Sequence, residues 1–221
     1  MMHKTAAKYY LSSILTTLNN FNWYGFPLLF IKKEIVIKIK NKSSFYVSNF
    51  MDIWTLKEVI VDDQYRTKKM INKKDVVIDI GAAIGDFSIL AAQKAKKVIA
   101  YECNAERVRL MKKNLKINKV INVLLKDTKA KSLAQILKGI ERCNFLKIDC
   151  EGCEYDIFNN ASARDLDKIE FIAMEAHQFN QKMKKQYQDL LTVLKKHKFE
   201  IEIVPNQVHD YICFVFASKQ K

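Results

Sequence analysis

Glycine and proline are both scarce in this sequence of 221 residues, which contains five glycines and two prolines. So few chain-breaking residues predict long, uninterrupted helices and strands. Hydrophobic residues make up 49% of the chain and charged residues 28%, and this balance excludes a disordered or fibrous protein. The length suits one main domain with an extension better than two full domains.

Arginine is also rare among the basic residues. The formal net charge is +14, but only five of the 38 basic residues are arginines. Arginine is the usual residue for reading base edges and gripping phosphates, so the lysine excess alone does not favour a nucleic-acid partner. An acidic partner or an anionic membrane surface stays open.

The five cysteines do not form a disulfide framework, because their number is odd and their spacing irregular. They predict a reducing, cytoplasmic location. Cys150 and Cys153 form a C-x-x-C sequence, but no second cysteine pair completes a zinc site. We therefore expect Cys150 to pack within a strand rather than to take part in metal or redox chemistry.

The N-terminal region contains a charge-free run, residues 9–31, that is a poor candidate for a membrane span. Three asparagines lie in its middle, and Gly25 and Pro27 would interrupt a helix. Residues 4–18 are expected to form a helix with an apolar stripe of Leu11, Ile14, Leu15 and Leu18. We expect this helix to pack on the main domain, and peripheral contact with a membrane surface is the alternative.

Aliphatic runs alternate with helical patterns along most of the chain. A hairpin is predicted within 34–47, and seven further strands are predicted at 76–80, 98–102, 122–125, 145–150, 171–176, 200–204 and 211–217. Strands that alternate with helices form a parallel, doubly wound sheet. The last two strands have no helix between them, so one of them is antiparallel. The prediction is an α/β fold with a mostly parallel seven-stranded sheet in residues 54–221, and a helix-and-hairpin extension in 1–53.

A glycine turn follows the first strand of this sheet. Its spacing is D-x-G-x-x-x-G, from Asp79 to Gly85, and it lacks the middle glycine that close approach to a pyrophosphate requires. This favours a ligand without a pyrophosphate, such as S-adenosylmethionine, held against the amides at the start of the next helix. The cofactor residues predicted in this turn are Asp79, Gly81, Ala82, Gly85, Asp86 and Phe87.

Acidic residues end the next two strands. Glu102 is placed to accept hydrogen bonds from ribose hydroxyls, with Cys103 and Asn104 beside it, and Asp127 is placed to meet the adenine amino group. The alternative is that these acids only cap the following helices. Three acids, including Asp79, at the ends of three successive strands favour a ligand site over caps.

Several segments resemble the FkbM family of methyltransferases. They are the glycine turn, Tyr101-Glu102-Cys103-Asn104, the string from Leu146 to Glu154, and Phe171-Ile172-Ala173-Met174-Glu175-Ala176-His177. The resemblance covers about 54–218, and it departs from the family in a short stretch after Asp127. It implies a class I methyltransferase fold, S-adenosylmethionine as the cofactor, and methyl transfer to a hydroxyl oxygen of a sugar, glycan or natural product.

Acidic residues also follow the fourth and fifth strands. Asp149 and Glu151 lie at the end of the fourth strand, next to the expected methyl group, and we take them as catalytic. Glu175 and His177 share one face of the fifth strand, so His177 is a candidate general base oriented by Glu175. Alternatively, these four residues gather a divalent cation, or His177 is only structural. We predict no dedicated metal site.

Two other functions compete with this interpretation. Residues 91–102 and 114–122 are also similar to tRNA guanosine methyltransferases, and the net charge suits RNA. However, those that act on exocyclic amines carry an N-P-P-Y type motif where this chain has Asp149-Cys150-Glu151-Gly152, whose acids would repel phosphate. A non-catalytic binding module would be expected to have lost the acidic positions, which are all present.

Overall fold

The N-terminal region forms a helix, a 3-10 helix and a hairpin. The computed structural model describes residues 2–40 and 43–220. In chain order the elements are α1 (Met2–Asn20), the 3-10 helix Trp23–Phe30, β1 (Ile35–Lys38), β2 (Ser44–Val47), α2 (Phe50–Leu56), a π-helical turn (Lys57–Val61) and α3 (Thr67–Met70). β1 and β2 pair in antiparallel fashion, as predicted for a hairpin. Two residues of its predicted turn, Asn41 and Lys42, lie outside the described residues.

Seven strands form the main sheet. They are β3 (Val76–Ile80), β4 (Lys97–Glu102), β5 (Val123–Asp127), β6 (Phe145–Ile148), β7 (Phe171–His177), β8 (Phe199–Pro205) and β9 (Ile212–Lys219). Their order across the sheet is β5-β4-β3-β6-β7-β9-β8. Among these strands β9 runs in the direction opposite to the other six, since it pairs in antiparallel fashion with both β7 and β8. The predicted fold class, with one antiparallel strand near the C-terminus, is confirmed.

Helices connect the parallel strands. They are α4 (Asp86–Ala92), α5 (Ala105–Ile117), α6 (Leu133–Ile136), α7 (Glu154–Phe158), α8 (Ala163–Asp167) and α9 (Gln181–Lys196). Asn104 begins α5 by accepting hydrogen bonds from the amides of Glu106 and Arg107. α9 buries Leu190, Leu194 and their neighbours against the sheet. Each connection carries the chain back to the amino end of the next strand, so the carboxyl ends of β3, β4 and β6 meet at one edge of the sheet.

Hydrogen bonds of Asn114 in α5 connect the hairpin to the glycine turn. This side chain is fully buried; its Oδ1 accepts from the Tyr46 amide at 2.6 Å, and its Nδ2 donates to the Ile84 carbonyl at 2.9 Å. Ile37 and Phe45 of the hairpin join the core that contains Phe87 of α4. The N-terminal extension thus packs directly behind the glycine turn.

α1 packs on the main domain as predicted, but its apolar stripe faces solvent instead of the contact. Leu11, Ile14, Leu15 and Leu18 are between 41% and 63% exposed. The opposite side of the helix makes the contacts: the Tyr9 hydroxyl donates to Glu58 and Lys57 donates to Ser13. Periodicity identifies an apolar face but not its partner, and here polar anchors decide the orientation. In the part of the chain that is described, no helix is long and apolar enough to cross a membrane.

Candidate active site

The glycine turn closes tightly against both neighbouring strands. The amides of Gly81 and Ala82 donate to the Tyr101 carbonyl at 3.1 and 3.0 Å. Gly81 has φ +72°, and a Cβ at this position would lie 1.7 Å from the backbone oxygen of Asp149. Only glycine therefore allows β3 to turn while Asp149 passes this close.

A cavity of about 860 Å³ opens above this turn. Gly81, Asp86, Glu102 and Asp149 line it, together with Lys129 from the segment after β5. It thus lies where a parallel sheet of this kind binds ligands. Its size and mixed polar lining suit a nucleoside with a charged amino-acid tail.

Asp79 supports the turn from below rather than facing the ligand, which differs from the sequence prediction. It is fully buried, accepts from Ser88 Oγ at 2.6 Å, and lies 3.1 Å from Lys147 Nζ. Lys147 also donates to the Gly81 carbonyl at 2.7 Å. Burial opposes the charge on Lys147, but the charges of Asp79, Asp149 and Asp86 outweigh it and raise the lysine pKa. This pair fixes the turn, and sequence patterning gave no role to Lys147.

Asp86, and not Asp79, lines the cavity. It is buried, and its Oδ2 has no hydrogen-bond partner within the described part of the chain. Burial raises the pKa of Asp86 to about 7, against the positive charge of Lys147. An unsatisfied carboxylate oxygen beside a cavity is costly unless a donor fills it. An ammonium group of a bound ligand fits this need.

Glu102 lies where the sequence predicted it, beside the turn. Its Oε2 accepts from the Ala83 amide at 2.9 Å, and its Oε1 accepts from the amides of Cys103 and Asn104 at 2.8 and 2.7 Å. The carboxylate is therefore held in one orientation at the cavity wall, with lone pairs left for ribose hydroxyls. All three residues, Glu102, Cys103 and Asn104, line the cavity.

Besides Asp79, four predicted cofactor residues are not among those lining the cavity: Ala82, Gly85, Phe87 and Asp127. Ala82 and Phe87 are fully buried beneath it. A Cβ on Gly85 would lie 2.9 Å from Met111 Cγ, so this glycine serves the packing of α4 on α5. Asp127 is exposed at the end of the edge strand β5, and the residues after it, Thr128 to Ala130, line the cavity instead.

A second cluster lies at the ends of β6 and β7. The Tyr65 hydroxyl donates to Asp149 Oδ2 at 2.9 Å and lies 3.4 Å from Glu175 Oε2. Glu175 Oε1 lies 3.7 Å from His177 Nε2. Of these four residues only Asp149 lines the cavity. The others form a buried layer behind it, in which Tyr65 is 1% exposed.

Glu154, not Glu175, orients His177, which corrects the predicted pairing. His177 Nδ1 is hydrogen-bonded to Glu154 Oε1, and both side chains are buried. Burial disfavours the charged imidazole, but the hydrogen bond to Glu154 and the charges of Glu154, Asp149 and Glu175 together outweigh it and raise the pKa of His177. Burial, followed by the charge of Asp149, raises the pKa of Glu175 to about 8. The contacts join residues 23 positions apart, which the period-two strand pattern cannot reveal.

Three residues of this cluster can together hold a cation. One ligand atom each from Asp149, Glu175 and His177 lies within 4.8 Å of the others. A carboxylate pair with an imidazole is a ligand set that suits several divalent metals. Glu151, predicted to join them, instead lies exposed at the cavity rim with φ +52°.

A disulfide joins Cys150 and Cys153, where the sequence predicted unpaired cysteines. The turn between β6 and α7 brings their Cα atoms to 5.5 Å, a separation that a disulfide can span. Both residues line the cavity. The C-x-x-C pair thus ties the turn that separates Asp149 from Glu154.

Two family models match different parts of the chain. A model described as the TRM5/TYW2 methyltransferase domain matches residues 47–139, which include the glycine turn and Glu102. A model described as the methyltransferase FkbM domain matches residues 125–201, which include Asp149, Glu175 and His177. The two matches divide the site between its cofactor side and its inner cluster.

Individual relatives are also methyltransferases. The tRNA (guanine(37)-N(1))-methyltransferase Trm5b of Pyrococcus abyssi is 38% identical over 65 residues, which are 29% of this chain and 20% of that protein. A Streptococcus mutans protein described as a methyltransferase, solved in complex with SAH, aligns with TM-score 0.56, 16% identity, and coverage of 72% of this chain and 97% of that one. A tRNA m1G37 methyltransferase from M. jannaschii gives TM-score 0.54, 20% identity and coverage of 86% and 58%. This chain spans about a fifth of the length of the curated relative.

The sheet order, the glycine turn and the acidic carboxyl edge define the class I methyltransferase fold. S-adenosylmethionine is its cofactor, in agreement with both methyltransferase models and with the solved structure that holds SAH. The residues present fit this molecule, since Asp86 offers an unpaired oxygen to an ammonium group and Glu102 a fixed carboxylate to a ribose. Two of the three similar proteins described above are named as tRNA methyltransferases.

Proposed function

We propose that this protein transfers a methyl group from S-adenosylmethionine to a nucleoside of an RNA. The observation that carries methyl transfer is the position of Asp149. It lines the cavity, contacts the glycine turn through its backbone, and has its carboxylate held by Tyr65. A carboxylate at this point is within reach of both the cofactor and an acceptor.

The chemistry assigned to the chain is proton handling and alignment. Bound S-adenosylmethionine supplies an electrophilic methyl group. Asp149 accepts the proton that the acceptor loses, while Tyr65 keeps the carboxylate oriented and Glu175 lies behind it. Because burial and the charge of Asp149 raise the pKa of Glu175 to about 8, this carboxyl behind Asp149 is mostly protonated at neutral pH.

RNA is favoured as the acceptor by the relatives and by charge. The likeness to the M. jannaschii tRNA methyltransferase covers 86% of this chain, more than residues 54–221 alone can supply, so it extends into the N-terminal region. Lys126, Lys129 and Lys131 form an exposed basic strip, and Lys129 lines the cavity. Phosphates are expected on this strip, away from the acidic inner end, while a flipped base enters the cavity.

The test is a transfer assay with radiolabelled S-adenosylmethionine against unmodified tRNA transcripts and a pool of saccharides and glycolipids. We expect label in RNA, and we expect substitution of the three strip lysines by Gln to raise the RNA KM roughly tenfold and lower its salt dependence. The matched control is Lys73→Gln with Lys74→Gln, two exposed lysines elsewhere. Label only in the saccharide pool would contradict the RNA proposal.

Transfer to a hydroxyl oxygen is the second candidate. The FkbM model matches residues 125–201, the part that contains Asp149, Glu175 and His177. A hydroxyl needs a base more strongly than a nucleobase N–H does, and this cluster supplies several basic groups. The same assay separates RNA from saccharide acceptors, and digestion of labelled RNA to nucleosides shows whether the methyl group is on a base or on a ribose oxygen.

A further inference from the structure

The N-terminal region presents several large apolar side chains to solvent, on α1 and at the 3-10 helix that follows it. We call this group the N-terminal apolar face, and it is defined by Leu11, Ile14, Leu15, Tyr24, Phe30 and Ile31. Phe30 and Ile31 are 81% and 83% exposed, and each of the others is more than half exposed. Single exposed apolar side chains are ordinary, but a group of this size on neighbouring elements marks an interaction site.

The face is held firmly in place. Phe26 and Leu29 of the 3-10 helix turn inward and pack on the main core, while Phe30 and Ile31 turn outward. Asn22 and Lys38 exchange hydrogen bonds that tie the start of this helix to β1. The outward side chains are therefore presented by a packed scaffold.

α2 links the face to the mouth of the cavity. The Phe50 ring lies 5.5 Å from the Phe30 ring, and the Trp54 ring lies 5.6 Å from the Tyr10 ring. Met51, the residue after Phe50, is 67% exposed and lines the cavity. A partner bound to the face would thus lie beside the entrance to the active site.

The positive charge of this region favours an anionic partner. Residues 1–33 contain four lysines and no acidic residue. Lys32 and Lys33 are exposed directly after Ile31. A second copy would bring the same lysines against these, and RNA would leave the apolar area unused. Trp23 and Tyr24 add aromatic side chains of the kind that favour a lipid–water interface.

We propose that the N-terminal apolar face docks on the surface of an anionic phospholipid bilayer. Apolar side chains would enter the headgroup region, and the lysines would meet lipid phosphates. The bilayer would then lie next to Met51 and the mouth of the cavity. This surface is independent of the methyl acceptor, so it stands or falls separately from the proposed function.

The test is co-sedimentation of the full chain with vesicles of phosphatidylcholine, alone or with one quarter phosphatidylglycerol. We expect binding that depends on the anionic lipid, with a blue shift in the fluorescence of Trp23. The double variant Phe30→Ser, Ile31→Ser is expected to bind roughly tenfold more weakly or worse. Its matched control is Ile121→Ser, since Ile121 is 96% exposed and lies outside the face.

A second pair of variants tests the charge. Lys32→Glu with Lys33→Glu is expected to weaken binding by at least roughly tenfold, whereas Lys73→Glu with Lys74→Glu leaves most of it. No binding to either vesicle overturns the proposal, as does binding that Phe30→Ser, Ile31→Ser does not change. A dimer in sedimentation equilibrium that this double variant dissociates would also overturn it, because the face would then serve a second copy.

Discussion

Acidic side chains on the two sides of the cavity are stabilised in different ways. On the cofactor side, Glu102 accepts three backbone amides and Asp79 is paired with Lys147. On the acceptor side, Asp149 and Glu175 share one Tyr65 hydroxyl, and the pKa of Glu175 is raised to about 8 by burial and by Asp149. Glu102 and Asp79 thus have fixed partners, which suits binding, whereas Glu175 titrates near neutral pH, which suits proton transfer. Asp86 is the exception on the cofactor side, since burial raises its pKa to about 7.

The largest effect is expected at Gly81, where the glycine turn of the cofactor side meets the Asp149 backbone of the acceptor side. Gly81→Ala would place a Cβ against the Asp149 backbone oxygen, so the unfolding free energy should fall by on the order of 3–5 kcal/mol and SAH binding should be lost. Thermal unfolding and calorimetry measure both. Gly139→Ala is the control, because Gly139 has the same φ of +72° but no atom within 4 Å of its Cβ, and it should cost about 1 kcal/mol. Equal losses of stability in the two variants would show that backbone strain at positive φ, and not the contact with Asp149, causes the effect.

The next effect separates the acceptor side from the cofactor side. Asp149→Asn removes the carboxylate that lines the cavity and should lower kcat on the order of 10²–10³-fold. SAH affinity should change only a few-fold, since Asp86 and Glu102 are intact. The exposed Glu141→Gln is a control for loss of one negative charge. If Asp149→Asn kept the full kcat, Asp149 would have no part in the chemical step.

A pH profile tests the layer behind Asp149. Because the pKa of Glu175 is raised to about 8, its carboxyl is mostly protonated at pH 7 and ionises as the pH rises. If ionised Glu175 helps Asp149 to take the proton, log kcat/KM rises towards pH 8 and then levels. Glu175→Gln should remove this rise and lower the plateau roughly tenfold. Persistence of the same rise in the variant would assign it to another group.

Much of the fold could be predicted from the sequence. β3 lies where its pattern predicted, and the other sheet strands begin or end within a few residues of the prediction. These elements depend on local periodicity and on alternation along the chain. The position of Glu102 beside the glycine turn also follows, because parallel strands bring their carboxyl ends together.

The rest of the site depends on contacts between distant residues. Tyr65 meets Asp149 across 84 positions, and Lys147 meets the Gly81 carbonyl across 66. No local pattern encodes such pairs. The exchange of roles between Asp79 and Asp86 has the same origin, because Lys147 and Ser88 contact the Asp79 carboxylate, whereas Oδ2 of Asp86 has no hydrogen-bond partner among the described residues.

The similar proteins change which of the two proposed methyl acceptors, RNA or a hydroxyl compound, is favoured. The acidic C-E-G turn and the scarcity of arginine favour a hydroxyl acceptor, whereas the sequence relatives and the wider structural coverage favour tRNA. The two preferences concern different sides of the cavity. The TRM5/TYW2 match covers the cofactor side, and the FkbM match covers the inner cluster.

Calorimetry with SAH tests the central claim that the cavity binds S-adenosylmethionine. Since the pKa of Asp86 is raised to about 7, its carboxyl ionises between pH 6 and 8 and should attract the ligand's ammonium group. We predict one site per chain, with affinity that increases over this range, and roughly tenfold weaker, pH-independent binding in Asp86→Asn. The absence of binding, or an unchanged pH dependence in the variant, would contradict the account.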